Sequence, residues 1–336
     1  MFPNPISRIV LISTLASAPM LYAEEILGPV LGLVHDPGVQ ALRAVKGVPG
    51  ASLLGPALNL GAEIDRAASA PDFTLAVAGE RKNAFVLGAA GELRALEGIR
   101  EGASRIVLSP SGSAAALVFP EIHLIEVLSG LPHDGRLRRD IWLPEGFDLE
   151  ALAVADDAGA VLLSSREGEG GAVWVVPIDD AMRRIPSLGR ATAIAFLPGA
   201  HDAILADAGS NTLLIVRDLL GAASVSFIAG EKEGIDNPAA VAASKASDRV
   251  YVANAGAGLI AAYALDGRTL SFTLCNCTPV ALDRMNGIEL FRLTGLSADA
   301  PLLLYDAAPE EPRVLVVPPD LPAPADDQQN QQGDRQ

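Results

Sequence analysis

The sequence predicts an all-β chain folded as a β-propeller of four-stranded antiparallel blades, seven in number, with a six-bladed ring plus an N-terminal arm as the alternative. Three observations carry this. Short apolar runs bounded by Gly, Pro, Asp or Asn recur along the chain, as in antiparallel strands. Similar units begin near Ile64, Arg105, Ala151, Ala191, Ala239 and Ala281, at spacings of 41, 46, 40, 48 and 42 residues. The linkers between runs are too short for the crossover helices of a parallel sheet.

At the N-terminus Arg8 precedes an apolar run from Ile9 to Ala18, and the segment ends Ala23-Glu24. One positive charge, a short apolar stretch and a small residue before an acidic start make residues 1–23 a secretory leader, cleaved after Ala23. The run is shorter than the ~20 residues a membrane span needs, and no later segment is long and uncharged enough to cross. The mature chain is therefore expected to be exported, soluble, and periplasmic or extracellular.

Residues 24–61 hold strands at Leu31–His35 and Gln40–Val45 around an Asp36-Pro37-Gly38 turn, and a third at Ser52–Leu54. They form an irregular first blade, since about 295 residues at about 42 per blade make seven. Five repeats follow. Their second strands are expected at Thr74–Ala78, Ala115–Phe119, Ala160–Ser164, Ala203–Ala206 and Val250–Ala253. Their third strands are expected at Ala84–Leu87, His123–Val127, Val173–Val176, Leu213–Val216 and Leu259–Tyr263. The clearest unit is Asn237–Leu274, four apolar runs with Asp266-Gly267 as a tight hairpin turn. A last unit spans Val280–Pro318, and ring closure requires residues 28–46 to lie beside its strand Val314–Val317. The propeller domain thus runs over 24–318. The tail 319–336, rich in Pro, Gln and Asp, lacks the apolar area to offset its ordering entropy and is expected to be disordered.

With 41 acidic against 25 basic residues the net charge is −16, which excludes nucleic acid as a partner. No GxSxG elbow is present, and Gly168-Glu169-Gly170-Gly171 follows no strand-to-helix transition that would cradle a phosphate. His35, His123, His133 and His201 have no metal-binding spacing, and Trp142 and Trp174 read as core or rim packing.

The stretch DRVYVANAGAGLIAAYALDGRTL resembles the repeats of YVTN-type and NHL-type β-propellers, closely in this unit and loosely in the others. The whole chain is similar to uncharacterised secreted bacterial propellers. That resemblance implies an exported binding or interaction module for a protein, glycan or small molecule, and supplies no catalytic residues. The alternative it implies is a lactonase-like hydrolase using a cation in the central channel.

In such an architecture the turns from second to third strand gather around the channel at one face. Glu80, Glu121, Glu167, Asp207, Asn254 and Asp306 are assigned to those turns, and a ring of carboxylates and amides is the donor set Ca²⁺ takes. The set is similar in residue type to the metal site of gluconolactonase-like propellers; the competing reading is an ordinary solvated rim. Cys275 and Cys277 lie in the connection to the last unit. A disulfide there needs a kink at Asn276, because extended residues two apart sit ~6.5 Å between Cα atoms, the edge of disulfide reach. Its entropic gain is only ~1.6 kcal/mol. Free thiols and a metal site are the other readings of the pair.

Overall fold

The structure, a computed structural model, describes residues 28–318 apart from positions 90, 169, 288, 298 and 299. The expected leader, with its Ala23–Glu24 junction, and the tail 319–336 lie outside the described residues.

The apolar runs form seven antiparallel sheets, each a meander in chain order. Blade 1 has three strands: β1 (Val30–Asp36), β2 (Ala41–Val48) and β3 (Ala51–Ala57). Blade 2 has β4 (Ile64–Ala70), β5 (Phe73–Ala78), β6 (Asn83–Gly88) and β7 (Leu93–Ala95). Blade 3 has β8 (Arg105–Leu108), β9 (Ala114–Phe119), β10 (Leu124–Ser129) and β11 (Arg136–Trp142). Blade 4 has β12 (Asp148–Val154), β13 (Ala160–Glu167), β14 (Gly170–Pro177) and β15 (Arg183–Arg184). Blade 5 has β16 (Ala193–Phe196), β17 (Ala203–Asp207), β18 (Thr212–Arg217) and β19 (Ser224–Ala229). Blade 6 has β20 (Pro238–Ala243), β21 (Arg249–Asn254), β22 (Leu259–Ala264) and β23 (Thr269–Leu274). Blade 7 has β24 (Asp283–Arg284), β25 (Leu290–Arg292), β26 (Leu302–Asp306) and β27 (Arg313–Val317).

The middle strands are apolar throughout because a sheet lies against each of their faces. Every residue of β5 and of β9 is buried, so these strands read as continuous apolar runs rather than alternating ones. Each pair of neighbouring blades shares one buried cluster. The largest, between blades 5 and 6, includes Ile204, Ile215, Val252 and Tyr263. The smallest, between blades 1 and 2, is Leu42, Ile64, Ala76, Ala78 and Leu87. The cluster of Leu31, Val45, Leu54, Met285, Leu304 and Val317 joins blade 7 to blade 1 and completes the ring.

Closure differs in detail from the sequence expectation. The strand beside β27 is β3, whose Leu54 N–H donates to Pro318 O at 3.3 Å. The expected segment 28–46 instead forms the channel-side and middle strands of blade 1. The reason is radial order: β3 and β27 are both outermost, so outer meets outer.

The innermost strands of blades 2 to 7 all begin at one end of the ring, here termed the mouth, and finish at the base. Side-chain bonds join beginnings to beginnings, as in Arg66 Nε to Ser104 O and Thr192 Oγ1 to Pro238 O. β1 runs the other way. Its His35 donates to Ile64 O at the start of β4, and its Leu33 O accepts from Ser69 Oγ near the end of β4. Blade 1 therefore has the strand directions of a second, third and fourth strand, with no first strand among the described residues.

Candidate functional site

Small and branched apolar residues on the seven innermost strands enclose a central channel with a cavity of about 480 Å³. Alanine is frequent there, at Ala68, Ala151, Ala195 and Ala242 for example, and its short side chain keeps the lumen open. Two features set this lining apart from the rest of the molecule. Most of its side chains are small and apolar while the backbone contributes polar surface, and its charged members are three arginines, Arg105, Arg284 and Arg292, against one carboxylate, Asp283. In a chain of net charge −16 the inner wall thus carries an excess of positive over negative side chains.

Those groups differ in what they already hold. Arg292 is paired with Asp283 and donates to Thr294 O. Arg284, only 12% exposed, donates to Ala243 O at 2.6 Å, lies 3.7 Å from Glu289 and stands 4.8 Å above the Phe291 ring. Burial lowers its pKa, and the Glu289 carboxylate opposes that shift. His35 gives its Nε2 proton to Ile64 O at 2.8 Å. Arg105 heads β8 at the mouth, and among the described residues its side chain makes one hydrogen bond, a long one, 3.3 Å from Nη1 to Glu150 O. Its side chain is exposed to the channel, yet the surrounding ring strips part of its hydration and lowers its pKa with no carboxylate to offset that. A partly dehydrated guanidinium with unused donors is a ready anchor for an anion.

At the mouth next to Arg105, Glu150 is held by Arg190 at 2.6 Å and by Arg166 at 3.2 Å. The Arg190 hydrogen bond is the main cause of the lowered Glu150 pKa, with Arg166 adding to it. This carboxylate is therefore already saturated, and only its backbone carbonyl reaches Arg105.

The structure brings five of the six acidic and amide residues expected in these turns to one end of the ring. Glu80 and Glu121 lie in second-to-third-strand turns and Glu167, Asp207 and Asn254 end the second strands that enter such turns, all at the mouth end, one per blade from 2 to 6. Asp306 does not lie there. It ends β26, pairs in register with Leu290 at the start of β25, and so lies at the base. Strand direction alternates, and the turn after a third strand points away from the turn after a second. Asp306 is also already paired, with Arg313 at 3.2 Å. Asp207 caps its own turn, accepting from Gly209 N at 2.8 Å and Ser210 Oγ at 2.7 Å. Asn254 is fully buried, and its Oδ1 accepts from Asp236 N at 3.0 Å, tying down the connection from blade 5. Glu80 and Glu121 are exposed, and Glu167 accepts from Ser165 Oγ. Among the described residues no three His, Cys, Asp or Glu side chains come together as a metal site.

Of the three readings for the cysteines, the structure shows the disulfide between Cys275 and Cys277, with Cα atoms 5.1 Å apart. Asn276 supplies the kink, at φ +50°. Trp142 is a rim residue, 60% exposed beneath the Arg100 guanidinium, while Trp174 is half-buried and donates to Ser165 Oγ.

The arginines of the channel wall were not singled out from sequence. The signal available was a charge at the head of an otherwise apolar innermost run, Arg105-Ile106-Val107-Leu108.

No protein-family model and no curated protein sequence matches this chain. Solved structures do. One is a protein of unknown function from Desulfotomaculum acetoxidans, 13% identical with a TM-score of 0.58, covering 86% of this chain and 99% of that one. Another is a Bacteroides fragilis protein provisionally described as a 6-phosphogluconolactonase, 12% identical with a TM-score of 0.54, covering 86% of this chain and 94% of that one. At such identities the likeness establishes the fold, a seven-bladed β-propeller.

Proposed function

We propose that this protein is a binding module whose ligand site is the central channel, and that the ligand is a small organic anion with an apolar body. The observation that carries this is Arg105: a partly dehydrated guanidinium, with no ion pair among the described residues, at the mouth of a cavity lined mainly by small apolar side chains, in an acidic molecule. The cavity falls within the roughly 300–1,000 Å³ of small-molecule sites, whose walls are mostly apolar with a few polar groups fixing orientation. A carboxylate would take two parallel hydrogen bonds from Arg105 while its hydrocarbon part covers the alanine-lined wall.

The module is placed outside the cytoplasm, a reading supported by the apolar leader-like stretch before Ala23 and by the Cys275–Cys277 disulfide. The YVTN and NHL resemblance fits the same picture. A lactonase-like hydrolase is the second reading; it draws on the provisional lactonase description of the Bacteroides fragilis neighbour and would share the channel. The test is a thermal melt against a panel of carboxylates and their neutral amides at fixed ionic strength. Hexanoate is expected to raise the melting temperature and hexanamide to leave it unchanged. If no anion in the panel raises it, the channel is not an anion site.

A further inference from the structure

A second surface lies on the outside of the ring, at blades 5 and 6, far from the channel wall in radial order. Outermost strands carry an unpaired edge and are commonly blunted by shortness or charge. Here β7 has three residues and β15 two, while β11 carries Arg136, Arg138, Arg139 and Asp140. β23, reading Thr-Leu-Ser-Phe-Thr-Leu, has six residues and no charge, and only β22 pairs with it. Leu270, Phe272 and Leu274 are 37%, 52% and 70% exposed; Phe272 and Leu274 alternate on one side of the strand, and Leu270 sits at a bulge near its start. On the neighbouring outermost strand β19, which is also uncharged, Phe227 is 58% exposed.

The two phenylalanines flank one loop. A Cβ added to Gly230 would meet the Phe227 ring at 3.2 Å, and one added to Gly234 would meet the Phe272 ring at 2.9 Å. Gly234 also sits at φ +91°, a conformation that favours glycine. Tyr263 holds the loop in place, donating to Glu233 O at 2.8 Å while its ring meets Phe272 edge-on. The result is an open groove of about 490 Å³ with Ala257, Leu259 and Phe272 as its apolar surface. Glu231 and Asp236 stand at its sides, both exposed, and no ion pair engages either among the described residues.

We propose that the free edge of β23 and this groove dock an extended segment of a partner protein, one that alternates apolar side chains with Lys or Arg. The edge supplies backbone hydrogen bonds, the groove takes the apolar side chains, and Glu231 and Asp236 select positive charge. Charge argues against the other occupants. A second copy would bring two acidic rims together in a protein of net charge −16, and an anionic bilayer would be repelled by the same groups.

The test uses three nine-residue peptides in 150 mM salt: alternating Lys and Val, alternating Lys and Ser, and the Lys–Val peptide N-methylated along one edge. Anisotropy titration of the folded protein is expected to show the Lys–Val peptide binding about tenfold tighter than the Lys–Ser one, the gain of one or two buried side chains. N-methylation and Phe272→Ser should each remove that gain. Leu274→Ser, at the most exposed position of the strand, gives the same readout should the Phe272 variant melt early. Equal binding of the Lys–Val and Lys–Ser peptides would overturn the proposal, leaving only charge attraction. So would a concentration-dependent dimer in sedimentation that Leu274→Ser abolishes, or capture of the protein by anionic vesicles.

Discussion

Arg105 and Arg284 stand in the same channel wall, on blades 3 and 7, and burial lowers the pKa of both. Their surroundings differ. Arg284 near the base has a backbone carbonyl, a carboxylate and an aromatic face, and it supports the blade 6–blade 7 core where Tyr251, Phe291 and Tyr305 meet. Arg105 at the mouth has one long bond to a carbonyl. The difference separates a cation that holds the ring together from one left available, which charge and burial alone do not do.

The largest effect that would sharpen this contrast comes from Arg284→Met. It strands Glu289, 13% exposed, beside Tyr251 without its cation, although Glu289 still accepts from Lys245 N at 2.7 Å. Urea unfolding is expected to show a loss of roughly 3 kcal/mol, as for other broken buried pairs. Arg284→Met with Glu289→Gln should recover part of it. A wild-type unfolding curve for Arg284→Met would reverse the roles assigned to the two arginines.

Next in size is the mouth carboxylate Glu150. Its folded pKa is lowered, so the stability it contributes is present above the ordinary carboxylate value of 4.5 and is lost as pH falls through the lower folded value. Glu150→Gln should cost about 1–2 kcal/mol at neutral pH. The variant should lose less stability than wild type as the medium is acidified, and the two curves should converge at the acid end. Parallel curves down to the lowest pH reached would show that Arg190 and Arg166 do not hold this group ionised.

The smallest effect is expected in the acidic turns. Asp207→Asn keeps the oxygen that accepts from Gly209 N and should change stability by no more than about 0.5 kcal/mol. The melting temperature should be the same in calcium and in chelator. A calcium-dependent rise that Asp207→Asn removes would restore a cation site at this face.

Much of the fold was legible because a strand buried on both faces must be apolar from end to end. The expected runs Thr74–Ala78 and Ala115–Phe119 fall inside β5 and β9 for that reason. Outermost strands gave no such signal: Leu93–Ala95 is wholly exposed and Arg183–Arg184 is two charged residues. The three strands of blade 1 were legible at Leu31–His35, Gln40–Val45 and Ser52–Leu54, but their direction was hidden, because reversing β1 leaves its apolar pattern unchanged. The disulfide was readable from chemistry local to Asn276. The site was read less well, since radial position and strand direction are properties of the closed ring. Asp306 was assigned to the wrong end, and Arg105 was passed over because only the ring around it makes it a channel residue.

The most direct measurement is calorimetric titration of hexanoate and hexanamide into wild type and Arg105→Met. Among the described residues the Arg105 side chain makes no ion pair and only one long bond, so the variant should fold and melt as wild type does. Wild type should bind hexanoate about tenfold or more tightly than hexanamide, the gain from a charge-assisted bidentate pair. Arg105→Met should bind both weakly and alike. Undiminished hexanoate binding by a well-folded Arg105→Met would contradict the assignment of Arg105 as the anchor of the channel.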